Sequence, residues 1–317
     1  MESTKAEANK GKKSHLKLIL NIALFVILTG LALFYVLKDD PAKSFSLIST
    51  INLLPFLIAL VIVALINLLD GITITSFAKI YNPHYRYSQG VVTALIGSFM
   101  GVFNKASSNL VQAYTLSKQD IKASHSASIL TMNFLMYQLT LTVYSLIMVL
   151  VGYNSVKDIP LDLLGDMPIF YISLIGFSVD VIFLLIILFV GFSKTFHRFI
   201  INIGVSAIKI LHIKKDPELL RKEWVVKITT YRVEFRRLFN HLGTDTIAFF
   251  IGLIKQFLLN SLPFFAIWCL TDVSSINFIS CISGASYLNL ITTFIPTGAP
   301  EVCFQAIYGY ILQNQAL

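Results

Sequence analysis

The residues that could do chemistry here are ionisable and amide side chains set inside long apolar runs. Asp70 lies in Leu65-Ile66-Asn67-Leu68-Leu69-Asp70-Gly71, with Asn67 three residues earlier on the same helical face. A charge at the centre of a membrane-spanning helix costs about 2.5 to 3.5 kcal/mol on insertion scales, so such a group faces a cavity or a partner. For Asp70 the two uses weigh equally: a carboxylate hydrogen-bonded to a neighbouring helix, or one that lines a polar cavity. Lys255, followed by Gln256 and near Asn260, also lies deep in apolar sequence. From that depth it either snorkels or meets Asp70, Asp180 or an anionic lipid headgroup. Asp180 is in turn the pair of such a cation or a packing polar group. Asn133, Tyr137 and Gln138 recur on successive helical turns and present a polar stripe, for which hydrogen bonding between helices is the common use.

Other chemistries find no foothold in the pattern. There is no P-loop, no HExxH, no GxSxG and no carboxylate pair in glycosidase-like context. Cys269, Cys281 and Cys303 are too far apart for a CxxC site, and each lies in apolar sequence where a small packing residue is expected. The histidines, at 15, 84, 125, 197, 212 and 241, fall in loops or near the ends of apolar runs. No catalytic residue, metal site or cofactor is therefore expected, and transport without nucleotide hydrolysis fits better than enzymology.

The elements that must position these groups follow from composition. Of 317 residues 56% are hydrophobic and 13% charged, about half the charged share of a soluble domain, and the mean hydropathy is +0.74. That excludes an ordinary water-soluble fold. A hydrocarbon core about 30 Å thick takes about 20 helical residues to cross. The runs 16–37, 53–77, 129–151, 169–192 and 246–270 are long enough. They are apolar on every face, whereas a β-barrel strand would alternate over about ten residues. The expectation is an all-α polytopic membrane protein with about five to seven spanning helices. Residues 16–37 follow a lysine-rich start but exceed a signal peptide's apolar region of about 7 to 15 residues, and read as a retained first span.

The net charge of +8 belongs to membrane orientation and not to nucleic acid binding, because the basic residues flank apolar spans. The stretch 194–241 carries Lys194, Arg198, Lys209, Lys214, Lys215, Arg221, Lys222, Lys227, Arg232, Arg236 and Arg237 against Asp216, Glu218, Glu223 and Glu234. By the positive-inside rule it is cytoplasmic, as is the N-terminus, and the acidic stretch 153–168 is external. Residues 90–103 are apolar but short. If they crossed, the basic loop would fall outside; if they enter and return on one side, every loop charge is correctly placed. A re-entrant segment near 90–115 follows, allowed only where its backbone is buried in protein or lines a wet cavity. A second break, Pro296-Thr297-Gly298-Ala299-Pro300, interrupts the last apolar run near 296–301. The organisation expected is a basic N-terminal tail (1–15), a first membrane part (16–193), a basic loop (194–243) and a second membrane part (244–317). Each part has spans followed by a broken helix, which is compatible with an inverted repeat and a midplane site.

From Phe103 to Ile147 the sequence reads FNKASSNLVQAYTLSKQDIKASHSASILTMNFLMYQLTLTVYSLI. Its Gln112-Ala113-Tyr114-Thr115-Leu116 with Lys118 and Ile121, and then Asn133-Phe134 and Tyr137-Gln138, resembles the QAYYLKKxGI and NFxxYQ pattern of the lysylphosphatidylglycerol synthase/flippase family, MprF and its short flippase-like relatives. Phe294-Ile295-Pro296-Thr297-Gly298-Ala299 through Glu301 is similar to that family's FIPxPGAxGxxE element. Members carry a Thr-Pro and then GGQPxQ ahead of the tyrosine stretch; here Ser107-Ser108-Asn109-Leu110-Val111-Gln112 stands in that place. The missing glycines imply an altered backbone approach to a headgroup.

The resemblance implies translocation of a charged phospholipid, aminoacylated phosphatidylglycerol being one example, with the head in a polar groove and the tails in lipid. The broken elements, with Asn104, Lys105, Asn109, Gln112 and Tyr114 in one and Glu301 in the other, would supply polar groups at depth. Asp70 and Glu301 would meet a cationic head, Lys105 or Lys255 its phosphate, and Asn133, Tyr137 and Gln138 would complete the lining. Two alternatives stay open. One is a phosphatidylglycerol lysyltransferase, although in the family that activity resides in a separate soluble domain for which no chain is expected after Leu317. The other is a non-transporting paralogue that regulates a membrane partner. Membrane phospholipid is the expected partner, nucleic acid is not, and a second copy or another membrane protein is left open.

Overall fold

A computed structural model describes residues 50–103, 105–156, 159–161, 167–193, 240–271, 277–292 and 299–315, with isolated positions between 199 and 236. The expected first span 16–37, the basic tail 1–15, most of the basic loop and the break at 293–298 lie outside the described residues. Residues Leu53–Leu317 form one compact unit.

Among the described residues that unit is all-helical apart from one pair of two-residue strands, and it is a polytopic membrane protein. Among the described residues, four helices are long and apolar enough to cross a bilayer: Leu53–Lys79 (α1), Ala123–Val151 (α4), the window Ile169–Ile186 within Ile169–Phe192 (α6), and Leu242–Trp268 (α7). They correspond to four of the five expected spans. The N-terminal half of α1 shows why a membrane is needed. Leu53, Leu54, Phe56, Leu57, Leu60 and Val61 are all between 46% and 69% exposed, a surface that water would not tolerate and lipid would.

Between α1 and α4 the chain forms a helical hairpin, Tyr87–Phe103 (α2) and Lys105–Lys118 (α3). The apolar segment expected at 90–103 is thus one arm of a two-helix unit. The arms run antiparallel, because contacts pair early residues of one with late residues of the other. Ser108 Oγ donates to Gly97 O at 2.7 Å and Ser107 Oγ to Met100 O at 3.4 Å, near the tip. At the base, Gln119 Nε2 donates to Gln89 O at 3.2 Å, and Tyr85 donates to Gln119 Oε1 at 2.6 Å. Burial pushes the Tyr85 phenol above its ordinary range, and its hydrogen bond with Thr93 acts the other way.

Glycine sets how closely this hairpin docks on α1. A Cβ on Gly90 would stand 2.5 Å from Gly71 O, and one on Gly71 would stand 2.8 Å from the Val91 Cα, so the two backbones touch. Beyond α4, the short helix Tyr153–Val156 (α5) and the antiparallel pair Pro160–Leu161 (β1) and Met167–Pro168 (β2) lead into Ile169–Phe192 (α6).

A second hairpin closes the unit: Phe278–Thr292 (α8) and Ala299–Gln315 (α9), the latter with Pro300 in its first turn, where a missing N–H leaves no bond unmade. It too is antiparallel, with Tyr308 donating to Cys281 O at 3.0 Å and Gly284 facing Ile307 and Ile311. Each hairpin follows a long helix, α1 or α7, and those two helices pack on each other.

Candidate functional site

The polar residues of the spans converge where α1, α4, α6, α7 and α8 meet. On α1 and α7, Lys255 Nζ donates to Asp70 Oδ1, with side-chain exposures of 15% and 22%. Of the partners open to Lys255 in the sequence, the structure selects Asp70. Two opposite charges at this depth leave no net charge in a low-dielectric place, where either one alone would be costly. Asn67, one turn before Asp70, is tied to the first hairpin: its Oδ1 accepts from Ser98 Oγ at 2.7 Å.

The α4 stripe divides into two faces. Asn133, Tyr137 and Thr140 line a void of about 10 Å³ together with Thr73, Ala248, Gly252 and Lys255. Gly252 permits this, since a Cβ there would stand 2.6 Å from the Thr140 methyl. The other face is built round Gln138, 6% exposed, whose Nε2 donates to Oδ1 of Asp180, 3% exposed, at 3.1 Å. These two line a cavity of about 450 Å³ with Phe134, Tyr137, Leu141, Val179, Phe183, Asn289 and Thr292. Its wall is polar toward α8 and apolar toward the outside of the bundle. Phe134, Tyr137, Val179 and Phe183 are 38% to 45% exposed, so the mouth opens between α4 and α6 onto the bundle's apolar surface. Tyr137 lines both spaces.

Behind Asn289 lies a second cavity of about 400 Å³ among α7, α8 and α9, lined by Leu259, Leu262, Pro263, Ala266, Leu288 and Phe304 as well as Asn260 and Asn289. The two cavities share Asn289, whose Nδ2 donates to Asn260 Oδ1 at 3.0 Å. Asn260 Nδ2 in turn donates to Gln256 O at 2.7 Å, and Ser286 Oγ reaches Asn260 Oδ1 at 3.5 Å. Pro263 sits inside α7 and removes the backbone donor that would reach Leu259 O, just where the helix borders this space.

Of the residues singled out in the sequence, Asp70, Asn133, Tyr137, Gln138 and Lys255 come together here. Others stand apart. Gln112 packs its side chain over Gly97 inside the first hairpin, where a Cβ would collide with it. Asn109 is exposed, and Tyr114 is 63% exposed with Lys118 Nζ 5.5 Å from its ring centre. Asn104 and the side chains of Lys105 and Glu301 lie outside the described residues. Sequence reasoning passed over Asn289, Thr292 and Thr140 as ordinary polar residues of apolar helices. It read Asp180 as a partner for a cation such as Lys255 or as a packing polar group, and Asn260 as a neighbour of Lys255. The available signal was Asp180 itself, an acid at mid-span.

Cys269, Cys281 and Cys303 are buried free thiols, and among the described residues no three His, Cys, Asp or Glu side chains converge. The polar side chains at the cavity wall can meet a polar or charged group by hydrogen bonds and charge. Comparisons with protein-family models, with curated proteins and with solved structures each return no match.

Proposed function

We propose that this protein moves a charged phospholipid from one leaflet of the cell membrane to the other. The observation that carries the reading is the cavity between α4 and α6. At about 450 Å³ it falls within the roughly 300 to 1,000 Å³ of ligand sites. Gln138, Asp180, Asn289 and Thr292 offer a headgroup what it loses on leaving water, while the mouth of Phe134, Val179 and Phe183 leaves acyl chains in lipid. An amphiphile could enter sideways without its tails ever crossing a polar wall. Asp180 faces a cationic group in such a head, with Gln138, Asn289 and Thr292 beside it.

In this reading the basic segment 194–243 and the N-terminus are cytoplasmic. The α2–α3 hairpin then enters from the cytoplasmic side and the α8–α9 hairpin from the other, which supports two inverted halves about the α1–α7 contact. The resemblance to the lysylphosphatidylglycerol flippases adds the expectation of an aminoacylated lipid.

The test is outer-leaflet exposure of lipids, read with a headgroup-reactive, membrane-impermeant label on cells with and without the protein. A difference confined to one class of charged phospholipid is expected, and it disappears with Asp180→Asn. Equal exposure of every lipid, with the protein present in the membrane, would overturn the proposal.

A further inference from the structure

We propose that the cavity among α7, α8 and α9 is a resident-lipid site, which holds one acyl chain of a membrane phospholipid and is separate from the headgroup cavity and from the lipid movement proposed above. Leu259, Leu262, Pro263 and Ala266 follow one another at i, i+3, i+4 and i+7 and so share one face of α7. Opposite them stand Ala285 and Leu288 of α8, with Phe304 of α9 at the side. Of the nine described lining residues seven are apolar and none is charged, which excludes an ionic ligand and suits a hydrocarbon one.

The walls form a groove with a mouth and a floor. Leu259 and Phe304, 39% and 38% exposed, stand at the mouth with exposed Ala266, while Asn260 and Ala285, at 1% and 4%, lie at the floor. The mouth continues the apolar outer surface of α7, where Ile254 and Phe257 are exposed too, and that surface meets lipid. Small side chains at 266 and 285 leave the space between the helices unfilled. At the floor the two amides are already engaged. Asn289 Nδ2 donates to Asn260 Oδ1, and Asn260 Nδ2 donates to Gln256 O, so a chain end there meets hydrogen-bonded groups.

Size decides the occupant. Positions 259 to 266 cover about 10 Å along α7. A hydrocarbon core about 30 Å thick gives the chains of each leaflet about 15 Å, so the groove takes most of one chain. A helix from a second copy or another protein, about 10 Å across, would fill roughly 800 Å³ over that length. That is about twice the 400 Å³ present. Hydrocarbon solvates a chain equally well in the groove and in the bilayer, and what differs is contact. Three helices surround a chain in the groove, whereas one on the outer face of α1 touches a single helix, and the added van der Waals contact prolongs its stay.

The test loads the full chain, in detergent, with phosphatidylglycerol that carries a diazirine midway along one acyl chain. The protein is then reconstituted into label-free vesicles of phosphatidylglycerol and phosphatidylcholine and illuminated, and its adducts are mapped by mass spectrometry. Adducts at Leu262, Leu288 and Phe304 are expected to persist, while those at exposed Leu57 and Val61 of α1 vanish on dilution. Ala266→Phe at the exposed mouth and Ala285→Leu at the floor each lower the groove adducts by about tenfold. Fluorescent phosphatidylglycerol in the same vesicles reports lipid movement by dithionite quenching; Asp180→Asn stops the movement and leaves the groove adducts in place. Groove adducts that vanish on dilution like those of α1 would overturn the proposal, as would adducts that Ala266→Phe leaves unchanged or that Asp180→Asn removes. Absence of groove adducts before dilution would also overturn it and point to a protein segment as the occupant. Native protein that keeps the adducts without moving lipid would uphold the site and remove the transport reading.

Discussion

The two helical hairpins share a shape and differ in what they touch. The α2–α3 hairpin is laced to itself and to its own base by Ser108, Ser107, Gln119 and Tyr85, and its second arm turns Leu110 and Tyr114 outward at 73% and 63% exposure. None of its described residues lines either of the two larger cavities. The α8–α9 hairpin is buried from Ser280 to Tyr287, anchored by Tyr287 donating to Val149 O at 3.1 Å, and it carries Asn289 and Thr292 to the cavity wall. A hairpin whose polar groups bond within itself and its base is a scaffold, while one that carries polar side chains to a cavity wall places them where a ligand can meet them. The residues that carry the family resemblance are therefore divided. Those of α3 lie on the scaffold, and those of α4 lie at the site.

The largest effect expected bears on the joint from which both hairpins hang. Lys255→Met alone strands Asp70 and costs up to about 3 kcal/mol, while Lys255→Met with Asp70→Asn recovers most of it. Thermal unfolding in detergent measures this, and equal losses in single and double variants would show that the two charges do not act as a pair. On the scaffold side, Gly90→Val drives a side chain against Gly71 O and Thr75 and costs about 1 to 3 kcal/mol. Gly243→Ala, with nothing within 4 Å, is the matched control for the same melts.

On the site side, Asn289→Ala removes the bond to Asn260 Oδ1 and costs about 1 kcal/mol. It also slows lipid movement in the vesicle assay, and unchanged rates would return the second hairpin to a scaffold role. The smallest effect sharpens the contrast. Asn109→Ala and Tyr114→Ala, on the outward face of α3, change stability by less than about 0.5 kcal/mol and leave transport intact. A transport defect there would place a lipid contact on the first hairpin after all.

Spans were legible because a bilayer imposes one length and one polarity. The run 169–192 coincides with α6, and 246–270 falls short of α7's start by four residues, because Gly243, Thr244 and Asp245 interrupt the apolar run without ending the helix. The hairpin of α2 and α3 was only half legible. Its first arm is apolar, but its second, KASSNLVQAYTLSK, has no apolar face that a window average can find. That arm is helical because α2 and its own base give its polar groups partners, a tertiary cause.

What the sequence determined by itself was the solvent and the cost of each buried charge. Long apolar runs require lipid, and Asp70, Asp180 and Lys255 within them require partners, because hydrocarbon solvates neither backbone nor charge. The choice of partners was tertiary. Asp70 took Lys255 and Asp180 took Gln138 because α7 crosses α1 at one register and α6 meets α4 at another. Glycines at 71, 90 and 252 set how closely those helices approach, and no local pattern encodes which contact each glycine will make.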